Sequence, residues 1–404
     1  MKRHLIGIGG VGMSALAVAL LKKGDEVTGA DRNLSAPNIG FLESLGIRCF
    51  PDDGSGVDAA TDEVIVSTAI EDDNPGLAKA AALSIPVTHR AKALARTLSD
   101  RKLVAVAGTC GKSTVTAMLG HVLAECGLDP FCVNGANVPG WTGAVRPGAG
   151  AFAVAEVDES DKSLVAFRPY AAIVTNASAD HYSKEEMDDV FDRFVADVPG
   201  PVIDGRKRDF GEAATSMPGR HNRANAAMAL AMAVALGCDR RRAEDALMSF
   251  RGVERRLQPH GNNVYDDYAH NPEKIRAMWT TLAEIHPGGI CVVWRPHGYA
   301  PLRKMMDALA AMFRETVRPQ DRLLVLPVYD AGGTADRSVN SGDLVARLAG
   351  VNAEIVADHE AALERAAALA GECEAFATCG ARDPALPALA RRISERIGAK
   401  SRKI

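Results

Sequence analysis

Short apolar runs alternate with helical patterns along the whole chain, and this alternation limits the fold more than any other feature. A strand-length run at 103–107 leads into a helical pattern at 112–126, and the same order recurs at 171–175 and 184–197. Strands that alternate with helices favour parallel pairing with helical crossovers. The sequence therefore predicts an α/β protein with mostly parallel sheets.

Two polar junctions, 99–102 and 251–263, interrupt this alternation. A chain of 404 residues is too long for one core. We predict three segments, 1–100, 101–252 and 253–404. The remaining predicted strands are 5–8, 26–30, 64–67, 86–88, 151–156, 290–294, 322–326, 352–356 and 374–378. The remaining helices are 13–23, 76–83 and 221–236, with further helices between and after the strands of the third segment.

The bulk composition excludes several classes of protein. The net charge of -4 and the pI near 6.2 give no reason to expect nucleic acid or an anionic membrane as a partner. The apolar runs are all well short of the roughly 20 residues of a membrane span. A strand pattern begins by His4 and leaves no room for a signal peptide. Eight cysteines without a Cys-x-x-Cys pair fit reduced thiols, so we expect a cytoplasmic protein.

The segment 105–114, Ala-Val-Ala-Gly-Thr-Cys-Gly-Lys-Ser-Thr, has the pattern of a phosphate-binding loop. The backbone N–H groups of a helix N-terminus point at an anion, Lys112 adds a positive charge, and the Ser113 hydroxyl can hold Mg²⁺. The loop is shorter than the common form, with two residues between Gly108 and Gly111 instead of four, and Val106 stands where the first glycine is expected. By itself it is either a variant phosphate loop or an accident.

A second glycine-rich turn opens the chain. Gly7, Gly9 and Gly12 fit the pattern G-x-G-x-x-G between a strand and a helix, and Asp31 follows 19 residues after Gly12. This arrangement predicts a Rossmann-like domain with a pyrophosphate at the helix N-terminus. A dinucleotide and a nucleotide sugar both present a pyrophosphate, so the motif does not choose between them. The alternative is a tight turn with no ligand.

Carboxylates and one histidine follow two of the central strands. Glu156 is followed by Asp158, Glu159 and Asp161. The next strand ends at Thr175 and Asn176, and Asp180 and His181 follow it. Ligands in α/β folds bind at the carboxyl ends of strands, where such a set can hold a divalent ion. A solvated acidic loop is the alternative.

Polar residues also begin the helix at 221–236 and follow the second junction. Asn222 and Asn225 lie on one face of the first helical turn, where they can read an adenine edge, although Asn222 can instead cap the helix. Either Arg255 or Arg256, with a carboxylate from 266–267, can close over phosphates and ribose. A plain interdomain salt bridge is the other interpretation of these arginines.

Taken together, these pieces resemble the Mur ligase family, and most of all its UDP-N-acetylmuramate–L-alanine ligase branch. Each piece is weak alone, but the ordered set is specific and spans nearly the whole chain. The matching segments are 7–14, 67–70 with 74–75, 108–113, 156–161, 175–176 with 180–181, 219–222, 252–256 and 266–270.

The resemblance implies an ATP-dependent amide ligase with three domains. These are a Rossmann-like UDP-sugar domain (1–100), a P-loop-type ATP domain (101–252) and a Rossmann-like domain (253–404) that takes the amine and closes over the nucleotide. A carboxylate attacks the γ-phosphate, and an amine then attacks the resulting acyl phosphate, with ATP, Mg²⁺ and a UDP-N-acetylmuramate-type substrate. Domain closure would exclude water from the acyl phosphate.

The same resemblance assigns residues to these roles. Catalysis falls to Lys112, Glu156 and His181, and the metal to Ser113, Glu156 and His181. The residues that bind ATP are then Gly108, Thr109, Gly111, Lys112, Ser113, Thr114, His221, Asn222, Asn225, Arg256, Asp267 and His270. The residues that bind the UDP-sugar are Gly9, Gly10, Val11, Gly12, Met13, Asp31, Ser67 and Asn74. The residues that bind the amine substrate are His297, Arg295 and Arg303.

This chain departs from the family pattern in three places. Cys110 stands where the branch usually has histidine, and only thirteen residues separate Ile203 from Met217, where the family has further strands. The two arginines that the family carries after the Pro-His pair are absent after His297. The carboxylate of an incoming amino acid would then need Arg295, Arg303 or Arg337, and the turn 330–334 is either part of that pocket or only a loop.

Two rival functions belong to other classes. An NAD(P)-binding oxidoreductase would use the first glycine turn but would leave Lys112 and the acidic cluster unexplained. A non-catalytic sensor would keep the scaffold and bind UDP-sugar or ATP without turnover, since a fold does not fix a function. The sequence favours the ligase, with L-alanine or another small amine as the second substrate.

Overall fold

A computed structural model describes residues 1–157, 163–177, 184–330, 332 and 335–401. The chain forms two compact units, one of residues 1–217 and 222–253 and the other of 218–221 and 254–404. The first unit holds two parallel-rich sheets and the second holds a third. This three-domain α/β fold confirms the predicted fold class, while the exact domain boundaries stay a prediction.

The N-terminal sheet has five parallel strands in the order β3-β2-β1-β4-β5. Because all five strands run in the same direction, the loops that follow β1, β2 and β4 lie at one edge of the sheet. Its strands are β1 (Lys2–Ile6), β2 (Glu26–Asp31), β3 (Arg48–Pro51), β4 (Glu63–Val66) and β5 (Val87–His89). Its helices are α1 (Val11–Lys22), α2 (Pro37–Ser44), α3 (Pro75–Ala82) and α4 (Arg90–Thr97).

The central sheet has six strands in the order β11-β10-β6-β9-β7-β8, parallel except for the last pair. Its strands are β6 (Lys102–Ala107), β7 (Phe131–Val133), β8 (Val145–Arg146), β9 (Phe152–Glu156), β10 (Ala171–Val174) and β11 (Val202–Asp204). Its helices are α5 (Lys112–Glu125), α6 (Lys184–Ala196), α7 (Arg220–Ala235) and α8 (Arg240–Ser249), where the first residues of α7 belong to the second unit.

The third sheet also has six strands, in the order β12-β13-β17-β14-β15-β16, with an antiparallel pair at β12 and β13. Its strands are β12 (Gln258–Pro259), β13 (Val264–Asp267), β14 (Ile290–Trp294), β15 (Arg322–Val325), β16 (Ala353–Ile355) and β17 (Ala375–Cys379). Its helices are α9 (Pro272–Ile285), α10 (Tyr299–Thr316), α11 (Ser341–Val345), α12 (His359–Ala368) and α13 (Leu386–Ser401).

The N-terminal and central sheets share one apolar core. Leu16 and Leu94, on helices of the N-terminal sheet, belong to the same buried cluster as Phe131, Phe167 and Phe191 around the central sheet. Burial of apolar side chains in one continuous cluster stabilises both sheets together.

The predicted elements lie within two or three residues of their predicted positions, but some short strands, among them β3 and β7, were not predicted. Arg48–Pro51 lacks an apolar run, and Phe131–Val133 has only three residues, so neither gives a clear signal. Between β11 and α7 the structure has no strand at 205–219, all of which are described. The short stretch after Ile203 is therefore an irregular loop.

Candidate functional site

The loop between β6 and α5 is shaped by two glycines. Gly108 has a φ of +123° and Gly111 a φ of +85°, both in the region that favours glycine. A Cβ on Gly108 would lie 2.2 Å from the Thr175 hydroxyl oxygen, and one on Gly111 would lie 2.6 Å from Oδ1 of Asn225. Larger residues would therefore clash with the wall behind the loop.

The end of β10 holds this loop in place. The Thr175 hydroxyl donates to the carbonyl oxygen of Cys110 at 2.6 Å. The Asn176 amide donates to the same oxygen at 3.0 Å, and its Oδ1 accepts the Cys110 N–H at 2.9 Å. Three hydrogen bonds thus hold the backbone N–H and carbonyl oxygen of Cys110, and none of them depends on its side chain.

The predicted nucleotide residues of this loop lie at the start of α5. Nζ of Lys112 donates to the carbonyl oxygen of Gly108 at 2.7 Å, so the ammonium group folds back over the loop. Ser113, Thr114 and Thr109 are buried, each with at most 6% of the residue exposed. The structure brings the loop residues into the arrangement that a phosphate cradle requires.

Glu156 reaches the same sheet edge from β9. It lies opposite Val106 in the pairing of β6 with β9, and its Oε2 accepts the N–H of Gly135 at 2.8 Å. A Cβ on Gly135 would lie 2.4 Å from that oxygen, so Gly135 leaves space for the carboxylate. Glu156 is therefore held beside this loop, and within the described residues its other carboxylate oxygen has no hydrogen-bond partner.

The other predicted metal and acidic residues are outside the described part of the chain. These are Asp158, Glu159, Asp161, Asp180 and His181, together with Thr334 of the predicted turn. Across the residues that the structure does describe, there is no cluster of three or more His, Cys, Asp or Glu side chains suited to a metal ion.

The predicted adenine residues divide between the two units. Asn225 is 7% exposed and lies against Gly111, and Asn222 is 2% exposed in the first turn of α7. Because α7 begins at Arg220, the alternative that Asn222 caps the helix is wrong. His221 belongs to the second unit, where its Nδ1 lies 3.4 Å from the Thr281 hydroxyl.

The first glycine turn is closed by a carboxylate. Oδ2 of Asp31 accepts the N–H of Gly9 at 2.9 Å, and the Asn38 amide donates to the Gly9 carbonyl oxygen at 2.8 Å. Asp31 thus bridges the ends of β1 and β2. Gly10, Val11 and Met13 start α1, and Gly10 has no side-chain cap, so N–H groups of the helix remain for a ligand.

Arg90 is a candidate that the sequence interpretation missed. A Cβ built on Gly12 would lie 3.0 Å from Nη1 of Arg90, so the guanidinium rests on the turn beside the α1 N-terminus. Arg90 follows β5, far from the turn in sequence. The only available signal was a basic residue directly after a strand.

Ser67 and Asn74 have different positions. Ser67 follows β4 and is partly exposed at the edge that carries the glycine turn. Asn74 is 1% exposed, caps α3 by accepting the N–H of Gly76 at 2.8 Å, and donates to Asp52 at 2.9 Å. These contacts occupy the Asn74 side chain, so it shapes the loop rather than facing a ligand.

The two arginines of the second junction have separate roles. Arg255 pairs with Asp266, with Nε 2.8 Å from Oδ2, and Nη2 donates to the Gly380 carbonyl oxygen at 2.6 Å. Both guanidinium groups also lie over the Tyr268 ring, that of Arg255 at 5.1 Å and that of Arg256 at 5.0 Å from its centroid. Arg255 is therefore a structural clamp within the second unit, and Arg256 is the better candidate for a ligand.

Asp267 and His270 lie at the carboxyl end of β13. Asp267 accepts the N–H groups of Leu257 and Ala269, each at 2.7 Å, and its burial raises its pKa above the ordinary value, against the nearby charge of Arg256. Nδ1 of His270 donates to the Tyr268 carbonyl oxygen at 3.0 Å. The ring of His270 is 4.9 Å from that of His297, so two predicted site residues are adjacent.

The three arginines considered for the amine substrate all have carboxylate partners. Arg295 pairs with Asp383 at 2.6 Å, Arg303 with Asp336 at 2.8 Å and Arg337 with Asp330 at 2.7 Å. Although burial opposes it, the hydrogen bond from Arg295 keeps the pKa of Asp383 below its ordinary value.

Comparisons with known proteins agree over both ends of the chain. Residues 2–102 match the family model described as "Mur ligase family, catalytic domain", and residues 253–382 match "Mur ligase, glutamate ligase domain".

Individual relatives match over more of the chain. A UDP-N-acetylmuramate–L-alanine ligase of Paenarthrobacter aurescens is 35% identical, and the match covers 94% of each chain. One of Sinorhizobium fredii is 33% identical over 85% of each chain. The crystal structure of UDP-N-acetylmuramate–alanine ligase from Thermotoga maritima superposes with a TM-score of 0.81 at 27% identity, over 99% of this chain and 100% of that one.

None of the helices in the described residues combines the length and the apolar character needed to cross a bilayer.

Proposed function

This chain belongs to the Mur ligase family, and from that premise we propose that it is an ATP-dependent, ADP-forming ligase. It joins the carboxylate of UDP-N-acetylmuramate to the amine of L-alanine and so acts in peptidoglycan biosynthesis. The observation that carries the proposal is the loop between Gly108 and Ser113, which is braced by β10 and has the ammonium group of Lys112 folded over it.

The chemistry has two steps. An oxygen of the substrate carboxylate attacks the γ-phosphorus of ATP, the bond to the β-phosphate oxygen breaks, and ADP leaves. The amine lone pair then attacks the acyl carbon, a C–N bond forms, and the phosphate leaves with the electron pair of the broken C–O bond. The amine loses a proton in the process, and the products are an amide, ADP and inorganic phosphate.

The loop residues support the first step. Negative charge spreads over the γ-phosphoryl oxygens in the transition state, and a fixed ammonium group nearby stabilises that charge more than it stabilises the ground state. Lys112 begins α5, and its ammonium group lies at the loop that would hold the phosphates. The N–H groups at the start of α5 add further donors.

We also propose that Ser113, Glu156 and His181 hold Mg²⁺. The hydroxyl of Ser113 and the free oxygen of Glu156 are the hard oxygen ligands that this ion prefers, and both lie at the same sheet edge. The ion would supply positive charge next to the terminal phosphates. Glu156 has the further task of holding Gly135 through its N–H.

The UDP-sugar is proposed to bind at the first glycine turn. The α1 N-terminus presents N–H groups to a pyrophosphate, and the guanidinium of Arg90 lies beside Gly12 to share its charge. Ser67 lies at the same edge, and Asp31 keeps the turn closed. The roles of Asn222, Asn225, Arg256, Asp267 and His270 toward ATP stay predictions.

A cytoplasmic location is part of the proposal. All eight cysteines are free thiols, which fits a reducing compartment.

The test is phosphate release with UDP-N-acetylmuramate, ATP, Mg²⁺ and a panel of amines. Release that requires both the sugar nucleotide and L-alanine supports the ligase. Binding of nucleotide without turnover across the whole panel would contradict it and support a sensor. Fluorescence titration with NADH covers the oxidoreductase, for which tight binding at the first glycine turn would be needed.

A further inference from the structure

The loop after β17 carries an arginine to the start of α10. Strands β14 and β17 pair in parallel with Trp294 opposite Cys379, so the loops that follow them begin side by side. A Cβ built on Gly298 would lie 3.7 Å from Nη1 of Arg382. The guanidinium of Arg382 therefore reaches the residue that precedes α10.

Hydrogen bonds from Arg255 hold the backbone of this loop in place. Nη2 of Arg255 donates to the Gly380 carbonyl oxygen at 2.6 Å, and Nη1 donates to that of Ala381 at 3.2 Å. Arg255 is itself fixed by its ion pair with the buried Asp266. The backbone that carries Arg382 is thus positioned before any ligand arrives, which reduces the entropy lost on binding.

Within the described part of the chain, the exposed side chain of Arg382 has no hydrogen-bond or ion-pair partner. The adjacent carboxylate, Asp383, is already shared by Arg295 and His359, at 2.6 and 2.8 Å. Arg303 and Arg337 are likewise paired with aspartates. A substrate carboxylate can bind Arg382 without displacing a partner, whereas each of the other three arginines would first have to give one up.

The surroundings of Arg382 suit a carboxylate. Gly298 caps α10 without a side-chain hydrogen bond, so N–H groups at the start of this 18-residue helix are not capped by a side chain. His297, predicted to contact the amine substrate, directly precedes Gly298 and contacts the ring of His270. The guanidinium and the helix start thus face the same small region of the second unit.

We propose that Arg382 binds the carboxylate of the incoming amino acid and replaces the two arginines that are absent after His297. The inference rests on the proposed ligase activity and adds to it the residue that makes the enzyme choose an α-amino acid over a plain amine. Arg382 takes no part in forming the acyl phosphate, because that step precedes attack by the amine.

The test uses the full-length Arg382→Met protein, with Arg392→Met as a matched control. Arg392 is an exposed arginine of the same domain that pairs with Glu360. Two assays are run: phosphate release with L-alanine or L-alaninamide, and trapping of the acyl phosphate by hydroxylamine in the absence of amino acid. The amide lacks the carboxylate, so it reports whether that group is recognised.

For Arg382→Met we expect the KM for L-alanine to rise about 10- to 100-fold, the usual effect of losing a charge-assisted hydrogen bond. The preference for L-alanine over L-alaninamide should fall toward equality, while the hydroxylamine trap and the control variant stay at wild-type levels. An unchanged KM and preference, with a normal trap, would overturn the role of Arg382 alone. A wild-type protein that gives no trapped hydroxamate would overturn the ligase proposal and this inference with it.

Discussion

The two glycine turns of the first unit are both proposed to bind phosphate groups, but the positive charge beside each turn comes from a different place. Each follows a buried strand and starts a helix. In the loop before α5 the cation is Lys112, inside the motif, and the brace comes from the end of β10. In the turn before α1 the cation is Arg90, from a distant strand end, and the brace is Asp31. Both turns are visible in the sequence, but a cation inside the motif is visible with it, whereas a cation supplied by a distant residue is not.

The difference matches the tasks that we propose for the two turns. A transferring phosphoryl group changes its charge during the reaction, so a cation fixed within the loop acts on the transition state. A pyrophosphate that does not react has only to be bound, and a cation on a neighbouring loop is sufficient for binding.

The largest expected effect is that of Lys112→Ala. Because Lys112 stabilises charge in the transition state, we expect phosphate release to fall about 10³-fold or more. Calorimetric binding of UDP-N-acetylmuramate should change by less than about twofold, since the other turn binds it. Lys79→Ala, an exposed lysine of α3, is the control. Joint loss of turnover and sugar-nucleotide binding would show that the turns are not separate sites.

The second effect is a loss of stability in acid. It should affect β1, which leads into the first turn, more than β6, which leads into the second. His4 on β1 is buried, and its burial together with the charge of Lys2 lowers its pKa from 6.5 to about 4, against Asp58 and Asp52. Since the unfolded chain binds a proton below pH 6.5 and the folded chain does not, stability is lost as pH falls from 6.5 to 4. At 1.36 kcal/mol for each pKa unit the loss is about 3 kcal/mol.

Urea unfolding with pulsed hydrogen exchange should measure this loss. Peptides from β1 should lose protection between pH 6.5 and 4 in the wild-type protein, and His4→Asn should flatten that dependence while lowering stability at pH 7. Peptides from β6 provide the comparison. Equal pH dependence of β1 in the variant and the wild type would rule out His4 as the cause.

A smaller effect is expected for Arg90→Met. Loss of one charge-assisted contact with a pyrophosphate should weaken the binding of UDP-N-acetylmuramate about 10- to 100-fold and leave the KM for ATP unchanged. Arg48→Met, on the edge strand β3, is the matched control. If ATP is weakened as much as the sugar nucleotide, then Arg90 does not belong to the first turn alone.

The smallest effect is expected for Glu156→Gln, which sharpens the assignment of the second turn. The amide keeps an acceptor oxygen for the Gly135 N–H but lacks the charge, so about 10-fold more Mg²⁺ should be needed for half-maximal phosphate release. Magnesium titrations at saturating ATP measure this value. Identical titration curves for the two proteins would remove Glu156 from the metal site.

The sequence predicted the parts that depend on local pattern. Alternating strands and helices gave the fold class, and both glycine turns lie where their spacing placed them. The paired state of Arg295 and the structural role of Asn74 were hidden, because each depends on a partner distant in sequence, Asp383 or Asp52. The salt bridge considered for Arg255 is present, but its partner Asp266 belongs to the same unit. The capping role considered for Asn222 failed because α7 starts at Arg220, three residues earlier than that role requires.

The common core of the N-terminal and central sheets bears on protein engineering. Leu16 and Leu94 share one buried apolar cluster with Phe131 and Phe167, so we expect a fragment cut near residue 100 to expose apolar side chains and aggregate. A chimaera that takes its sugar-nucleotide preference from a relative should therefore fold more stably when the grafted segment includes both the N-terminal and the central sheet and ends near Val253.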